Sequence, residues 1–306
     1  MTEPLVWLPF DPAELGEPPC GLRYDTVVAR DAADLPSSVG EVEFYVPAYT
    51  VGRDQAPVLA RMSSLRVVQT LTAGVDHIRA VIPEGVVLCN GRGIHNASTA
   101  ELAMTLMLAC LRGVPGFVDD QHQGRWNQGW REALADKTVL IVGYGDIGAA
   151  LEARLIPFEV DVLRVARTAR DGVHAVADLP ELLPRADVVV LLVPATEETR
   201  GMVDAGFLSA MKHDALLVNV ARGAIVDTDD LLTALHAGRI RAALDVTDPE
   251  PLPNGHPLWS APGVLITPHV GGATPAMWPR AYRLVREQLT RFAAGEPLAN
   301  VMTGAY

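Results

Sequence analysis

The 306-residue chain is poor in cysteine, with only Cys20, Cys89 and Cys110. They are odd in number, widely spaced and fit no metal-ligand pattern, so neither a disulfide framework nor a metal site is expected. They read as reduced core residues of a cytosolic protein. Positive charge is also short: 25 Lys+Arg face 37 Asp+Glu, for a formal net charge of −12. Such a chain lacks the basic patches that sequence-blind nucleic-acid binding needs. Long apolar runs are missing too. The longest, Leu102 to Leu111, is interrupted by Thr105 and is half the length of a membrane span. The opening Met1-Thr2-Glu3-Pro4 carries no basic or apolar leader, so no secretory signal is expected. There is no internal repeat and no low-complexity tract. The expectation is a cytoplasmic protein without nucleic-acid or membrane partners.

What is present is ample for a folded core. Apolar residues make up 49% of the chain, which excludes global disorder. The length suits one large domain or two ordinary ones. Apolar runs alternate with helix-length amphipathic stretches, the signature of α/β architecture. The first third is irregular, with strand candidates at Leu5–Leu8, Val42–Val46, Leu65–Gln69 and Val86–Cys89 among many Pro and Gly turns. A helix apolar on most faces is predicted over Ala97–Leu111, with Ser98 or Asn96 as N-cap. A polar, turn-rich stretch follows from Gly113 to Ala135. From Lys137 the pattern is strict. Strands are predicted at Thr138–Val142, Val160–Ala166, Asp187–Val193, Ala215–Val220, Ala242–Val246 and Val264–Ile266, then a last helix from about Thr274 to Phe292. The continuous run Val188 to Val193 suits a strand buried on both faces of a parallel sheet.

One loop carries a recognisable chemistry. Gly143-Tyr144-Gly145-Asp146-Ile147-Gly148 follows a predicted strand and opens a predicted helix, the context in which G-x-G-x-x-G reads as a dinucleotide-binding turn. Gly143 permits the tight turn, Gly145 admits a pyrophosphate, and Gly148 lets the helix pack on the strand. The helix N-terminus offers N–H groups to the phosphates. NAD sites place an acid about 20 residues further on, at the ribose 2′-hydroxyl. Here Ala166 is followed by Arg167-Thr168-Ala169-Arg170, with no acid. Two guanidiniums and a hydroxyl suit a 2′-phosphate and favour NADP over NAD. The other reading of Arg167 and Arg170 is a pair of solvated loop arginines.

Three later segments each place a polar residue just past a predicted parallel strand, the edge where α/β sheets bind ligands. They are Asn219-Val220-Ala221-Arg222-Gly223, Asp245-Val246-Thr247-Asp248-Pro249-Glu250, and Thr267-Pro268-His269-Val270-Gly271. Reduction of a 2-keto acid needs a proton donor for the carbonyl oxygen, and histidine suits that at neutral pH. A neighbouring carboxylate orients an imidazole and favours its protonated form. A guanidinium polarises the carbonyl and grips a carboxylate. Taken singly, His269 also fits a core histidine, Glu250 a surface charge and Arg222 a structural ion pair. Taken together, after a dinucleotide loop, they point to acid/base chemistry.

At this point the chain resembles the D-isomer-specific 2-hydroxyacid dehydrogenase family. The resemblance covers nearly its whole length and is strongest from Lys137 to Gly272. It rests on Gly143–Gly148, Val193-Pro194-Ala195-Thr196-Glu197-Glu198-Thr199-Arg200-Gly201-Met202, Asn219–Gly223, Asp245-Val246 with Glu250-Pro251-Leu252, His256-Pro257-Leu258-Trp259, and Pro268–Gly272. It implies two Rossmann-like domains. One is a doubly wound parallel-sheet coenzyme domain over 98–273; the other is a discontinuous flavodoxin-like substrate domain from 1–97 plus 274–306. It puts the family's catalytic Arg, Glu and His on Arg222, Glu250 and His269. Leu71-Thr72-Ala73-Gly74-Val75-Asp76 matches the family's substrate loop, whose amides around Ala73 and Gly74 bind the substrate carboxylate. It implies that Leu192, Val193 and Pro194 line the adenine or ribose side, that Asp245 orients the nicotinamide end, and that Thr199, Val220, Ala221 and Gly271 also meet the cofactor. A homodimer is implied as well. Two positions depart from the pattern: Glu159 stands where Gly is frequent, and Thr247 replaces a frequent aromatic.

The expected activity is reduction of a small 2-keto acid by NADPH or NADH, as in glyoxylate and hydroxypyruvate reductases. Two alternatives stay open on sequence. One is oxidation of phosphite, formate or another small anion on the same fold, although formate enzymes typically carry Gln at the position of Glu250. The other is a dinucleotide-sensing protein like the corepressors that share the fold.

Overall fold

The computed structural model describes residues 3–29, 31–49 and 55–303. Met1 and Thr2, where the reading of the N-terminus began, lie outside them. The chain divides into two compact units. The smaller takes in residues up to His95 and from Pro275 onward; the larger runs from Asn96 to Thr274.

The smaller unit is built on five strands: β1 (Leu5–Leu8), β2 (Arg23–Thr26), β3 (Val42–Tyr45), β4 (Val67–Gln69) and β5 (Val87–Cys89). All pairs are parallel, in the order β2-β1-β3-β4-β5, the flavodoxin-like order. Alternate residues of β1 feed opposite cores. Val6 and Leu8 pack on one face with the helix Met277–Ala294, Leu5 and Trp7 on the other. The strand β2 escaped the sequence reading. Its residues Arg-Tyr-Asp-Thr are exposed or half-buried at the sheet edge, so no apolar run marks it.

The larger unit holds seven parallel strands: β6 (Thr138–Val142), β7 (Asp161–Ala166), β8 (His174–Ala175), β9 (Val188–Leu191), β10 (Leu216–Asn219), β11 (Arg241–Leu244) and β12 (Val264–Ile266). Their order, β12-β11-β10-β9-β6-β7-β8, is the dinucleotide-binding order with one strand added. The sheet is covered on both sides. Leu140, Val142, Val189 and Leu191 face one core, while Val139, Ile141, Val188 and Val190 face the other with the helix Asn96–Leu111. That is why these strands read as unbroken β-branched runs.

Two local expectations change, and a third observation is explained. The helix opens at Asn96, so Asn96 and Ser98 both lie inside it rather than capping it. The polar stretch from Gly113 to Ala135 contains a helix, Val114–His122, with Pro115 in its first turn and glycines at positions 113 and 124 outside its ends. Glu159 adopts φ 58°, a left-handed conformation that explains the frequent glycine there. Among the described residues no single helix is long and apolar enough to cross a membrane.

Candidate active site

In the larger unit the strand order reverses between β6 and β9, and the loops at the C-terminal edge on either side carry the residues singled out above. Gly143, directly after β6, has φ 104°, and a Cβ there would lie 2.5 Å from the Leu192 carbonyl carbon. No side chain fits. Gly145 is the reverse case: nothing lies within 4 Å of where its Cβ would be, so its backbone is open to an approaching group. At Gly148 an added Cβ would meet the Tyr144 ring at 3.2 Å and Ile141 at 3.3 Å, a close helix-on-strand fit. The helix Asp146–Leu155 begins without a side-chain cap. Its first turn therefore presents N–H groups and the positive end of the helix dipole. This cradle suits a pyrophosphate.

Strand β7 lies beside β6, which brings the exposed Arg167, Thr168 and Arg170 next to that turn. Arg170 donates to the Tyr144 carbonyl at 2.6 Å. The guanidiniums of Arg164 and Arg170 each lie 5.8 Å from the Tyr144 ring centroid. The Tyr144 hydroxyl donates to Glu152, which also accepts from Arg164 Nε at 2.9 Å. The Arg164 hydrogen bonds hold the Glu152 carboxyl below the usual range, and the bond to Glu152 pushes the Tyr144 hydroxyl up. Past β9, the Thr199 hydroxyl donates to the Pro194 carbonyl at 2.6 Å and folds Pro194–Thr199 into a compact turn.

Strands β10, β11 and β12 are neighbours, so Arg222, Glu250 and His269 leave adjacent strands at the same edge. Asn219, 1% exposed, shapes the first loop: its amide donates to the Arg222 carbonyl at 2.9 Å and its oxygen accepts from Ala221 N at 3.1 Å. Arg222 itself donates to the Ala221 carbonyl at 2.6 Å. Gly223 then closes this loop on the next, for any Cβ there would overlap the Thr247 carbonyl. Val220 and Ala221 are buried beside it.

Asp245 organises the third loop. It is buried, and its Oδ1 accepts from the Thr267 hydroxyl at 2.6 Å and from Val270 N at 2.9 Å. Its Oδ2 accepts from Gly271 N at 2.9 Å. His269 sits between these contacts with φ 54°. Left-handed backbone costs a non-glycine residue roughly 1–2 kcal/mol, so the Asp245 contacts hold a conformation the loop would not adopt alone. The imidazole Nδ1 meets Glu250 Oε1 at 2.7 Å. Among the described residues nothing meets Nε2, and the side chain is 43% exposed. A ring held at Nδ1 by a carboxylate presents Nε2 for proton exchange.

In the smaller unit, the loop after β4 turns its carbonyls inward. Among the described residues no acceptor meets the N–H of Ala73 or Gly74. Sequence reasoning singled out these two residues but missed Asn90 and Gly91, which hold the loop. It also missed the scaffolding by Asn219 and Thr267. Buried polar side chains at strand ends were the available signal.

The family profile described as D-isomer specific 2-hydroxyacid dehydrogenase, NAD binding domain, matches residues 104–271. A human glyoxylate reductase/hydroxypyruvate reductase is 34% identical over 251 residues, covering 77% of this chain and 76% of the relative. The crystal structure of an NADPH-dependent glyoxylate/hydroxypyruvate reductase from Sinorhizobium meliloti, in complex with NADP and sulfate, superposes with TM-score 0.81 at 27% identity over 97% of each chain. An NAD-dependent formate dehydrogenase from Staphylococcus aureus, in complex with NAD, gives TM-score 0.75 at 25% identity over 99% of each chain.

Proposed function

The chain belongs to the D-isomer-specific 2-hydroxyacid dehydrogenase family, and from that premise we propose that it reduces small 2-keto acids of the glyoxylate and hydroxypyruvate kind, with NADPH preferred to NADH. The contact of His269 with Glu250 at 2.7 Å, between the loops after β12 and β11, with Arg222 on the next loop after β10, carries this reading. His269 Nε2 gives its proton to the carbonyl oxygen of the keto acid, and Glu250 holds the ring for that transfer. Arg222 polarises the same carbonyl and grips the carboxylate. Asp245 keeps the His269 loop in its left-handed turn and lies toward the nicotinamide end. The Ala73 and Gly74 amides take the substrate carboxylate.

The glycine cradle fits a dinucleotide pyrophosphate, with Gly143–Gly148 around it. Arg167, Thr168 and Arg170 suit a 2′-phosphate, and no acid stands there to repel it. Leu192, Val193, Pro194, Thr199, Val220, Ala221 and Gly271 line the rest. When bound, the nicotinamide supplies the hydride that the carbonyl carbon receives. We place the protein in the cytoplasm as a homodimer. Trp126 and Trp130 are 95% and 99% exposed, an apolar surface that a second copy would cover.

The test is a cofactor-oxidation assay on the purified protein. NADPH and NADH are offered in parallel with glyoxylate, hydroxypyruvate, pyruvate and phenylpyruvate, and formate and phosphite are offered with the oxidised cofactors. Keto-acid turnover favouring NADPH is the expected result. Turnover of formate or phosphite alone assigns the protein to small-anion oxidation. Dinucleotide binding without any turnover assigns it to sensing.

A further inference from the structure

The loop Leu71–Gly74 is shaped by what its carbonyls bond. The Leu71 carbonyl meets His95 Nε2 at 2.8 Å. The Thr72 carbonyl accepts from Gly91 N at 2.7 Å and from the Thr70 hydroxyl at 2.9 Å. The Ala73 carbonyl accepts from Asn90 Nδ2 at 2.9 Å. The Gly74 carbonyl accepts from the Thr72 hydroxyl at 2.8 Å.

In a trans peptide the C=O and the following N–H point in opposite directions. Pinning the Ala73 carbonyl therefore aims the Gly74 N–H, and pinning the Thr72 carbonyl aims the Ala73 N–H. Gly91 comes close enough for the second task only because it lacks a side chain: a Cβ would lie 2.6 Å from the Leu71 carbonyl carbon.

Asn90 is itself fixed from behind. It is 9% exposed, and its Oδ1 accepts from Arg92 N at 3.2 Å. Its carbonyl accepts from Gln69 Nε2 at 3.0 Å, and its N–H donates to the Asn300 carbonyl at 3.1 Å. Gln69 Oε1 in turn accepts from Gln288 Nε2 at 2.7 Å, and Gln288 grips both polar groups of the Ala299 backbone. Both glutamines are fully buried and fully paired. Such a network is rigid, because a buried amide that loses a partner pays its desolvation in full.

We infer that Asn90 is a positioning residue for substrate-carboxylate recognition: its Nδ2 holds the Ala73 carbonyl inward and so aims the Gly74 N–H at the carboxylate. The inference rests on the proposed role of the Ala73 and Gly74 amides. Asn90→Asp keeps the shape but sets a carboxylate oxygen against the Ala73 carbonyl, and the peptide is released to rotate. Asn90→Ser removes the reach without adding charge.

Both variants and the wild type are assayed with NADPH against glyoxylate and its methyl ester, which lacks the carboxylate charge. One hydrogen bond to a charged group, once misaimed, corresponds to about a tenfold loss. The expected result is a glyoxylate KM raised about tenfold or more, with NADPH KM and ester kcat/KM within about twofold of wild type. A wild type that does not turn over glyoxylate, or does not prefer it to the ester, overturns the carboxylate reading and this inference with it. A wild type that prefers the acid, beside folded variants that keep that preference, overturns the inference alone. Parallel losses in glyoxylate, ester and NADPH parameters, or failure of both variants to fold, assign Asn90 to sheet-edge stability and also overturn it.

Discussion

The main-chain N–H of His269 donates to the main-chain carbonyl of Asp245 at 2.7 Å, while the Asp245 carboxylate takes the next two N–H groups, those of Val270 and Gly271. One buried acid thus captures three successive amides of a neighbouring strand's loop. The left-handed turn that results, with φ 54° at His269, sets the imidazole against Glu250.

Asp245→Ala leaves the Thr267 hydroxyl and two amides without an acceptor. The His269 loop then relaxes. A displacement of about 1 Å at a catalytic group is worth about a hundredfold in rate, and kcat for the keto acid is expected to fall by about that much. Steady-state kinetics with saturating NADPH measure it. A kcat within about threefold of wild type sinks the positioning role.

His269→Ala removes the proposed proton donor. The expected loss in kcat is roughly 10²–10⁴-fold, the usual range for a general acid. NADPH affinity, read by fluorescence titration, is expected to stay within about threefold because the cradle at Gly143–Gly148 lies on a different loop. An unchanged kcat refutes the assignment.

Arg167→Ala tests the cofactor preference. If Arg167 meets a 2′-phosphate, the variant raises the NADPH KM about tenfold or more and leaves the NADH KM nearly unchanged, since NADH has no such group. Equal shifts for the two cofactors refute the contact.

Gly223→Ala probes the closest approach between the β10 and β11 loops. Its Cβ would overlap the Thr247 carbonyl, which is backbone and has no soft rotamer to yield. Overpacking of this kind is expected to destabilise by about 3 kcal/mol. Thermal melting then shows a midpoint lowered by roughly 6–12 °C. A midpoint within about 2 °C of wild type, by the same scaling, means the two loops part easily.

Glu152→Gln carries a pH signature. Arg164, and then Tyr144, hold the Glu152 carboxyl below its usual value. A depressed carboxyl adds stability that is full above its unfolded pKa of about 4.3 and lost as pH falls through the lower folded value. The variant is therefore expected to be less stable than wild type at neutral pH, by roughly 1 kcal/mol for a pair whose guanidinium is partly solvated. The gap narrows below about pH 4.3. Urea titrations across pH 3–7, bracketing that value, measure it. A gap constant with pH contradicts the ion-pair account.

The sequence showed most where burial is two-sided. Strands β1 and β6 fall on the predicted residues without shift, because nearly all their side chains are buried whichever face they point to. It showed least where one face is wet. β2 has no apolar pattern, and the helix Val114–His122 was hidden among polar residues, although Pro at its start and glycine outside each end were available signals. In the candidate site, residue types and strand-end positions singled out Arg222, Glu250 and His269. They also suggested Glu250 as the partner of His269, and the two meet at 2.7 Å; they did not single out Asn219, Thr267 and Asn90 as the side chains that hold the loops.

By itself the sequence determined the α/β class, the dinucleotide-type glycine turn and the absence of an acid among the four residues that follow β7. Each is a local property, set by side-chain volume, backbone freedom or charge over a few neighbouring residues. Only the tertiary structure decided which loops touch. Asp245 finds its three amides 24 to 26 residues away, on another strand, and Asn90 finds Ala73 17 residues back. Those pairings follow from parallel strand order and register, which bring distant strand ends to one edge, and no local pattern encodes them.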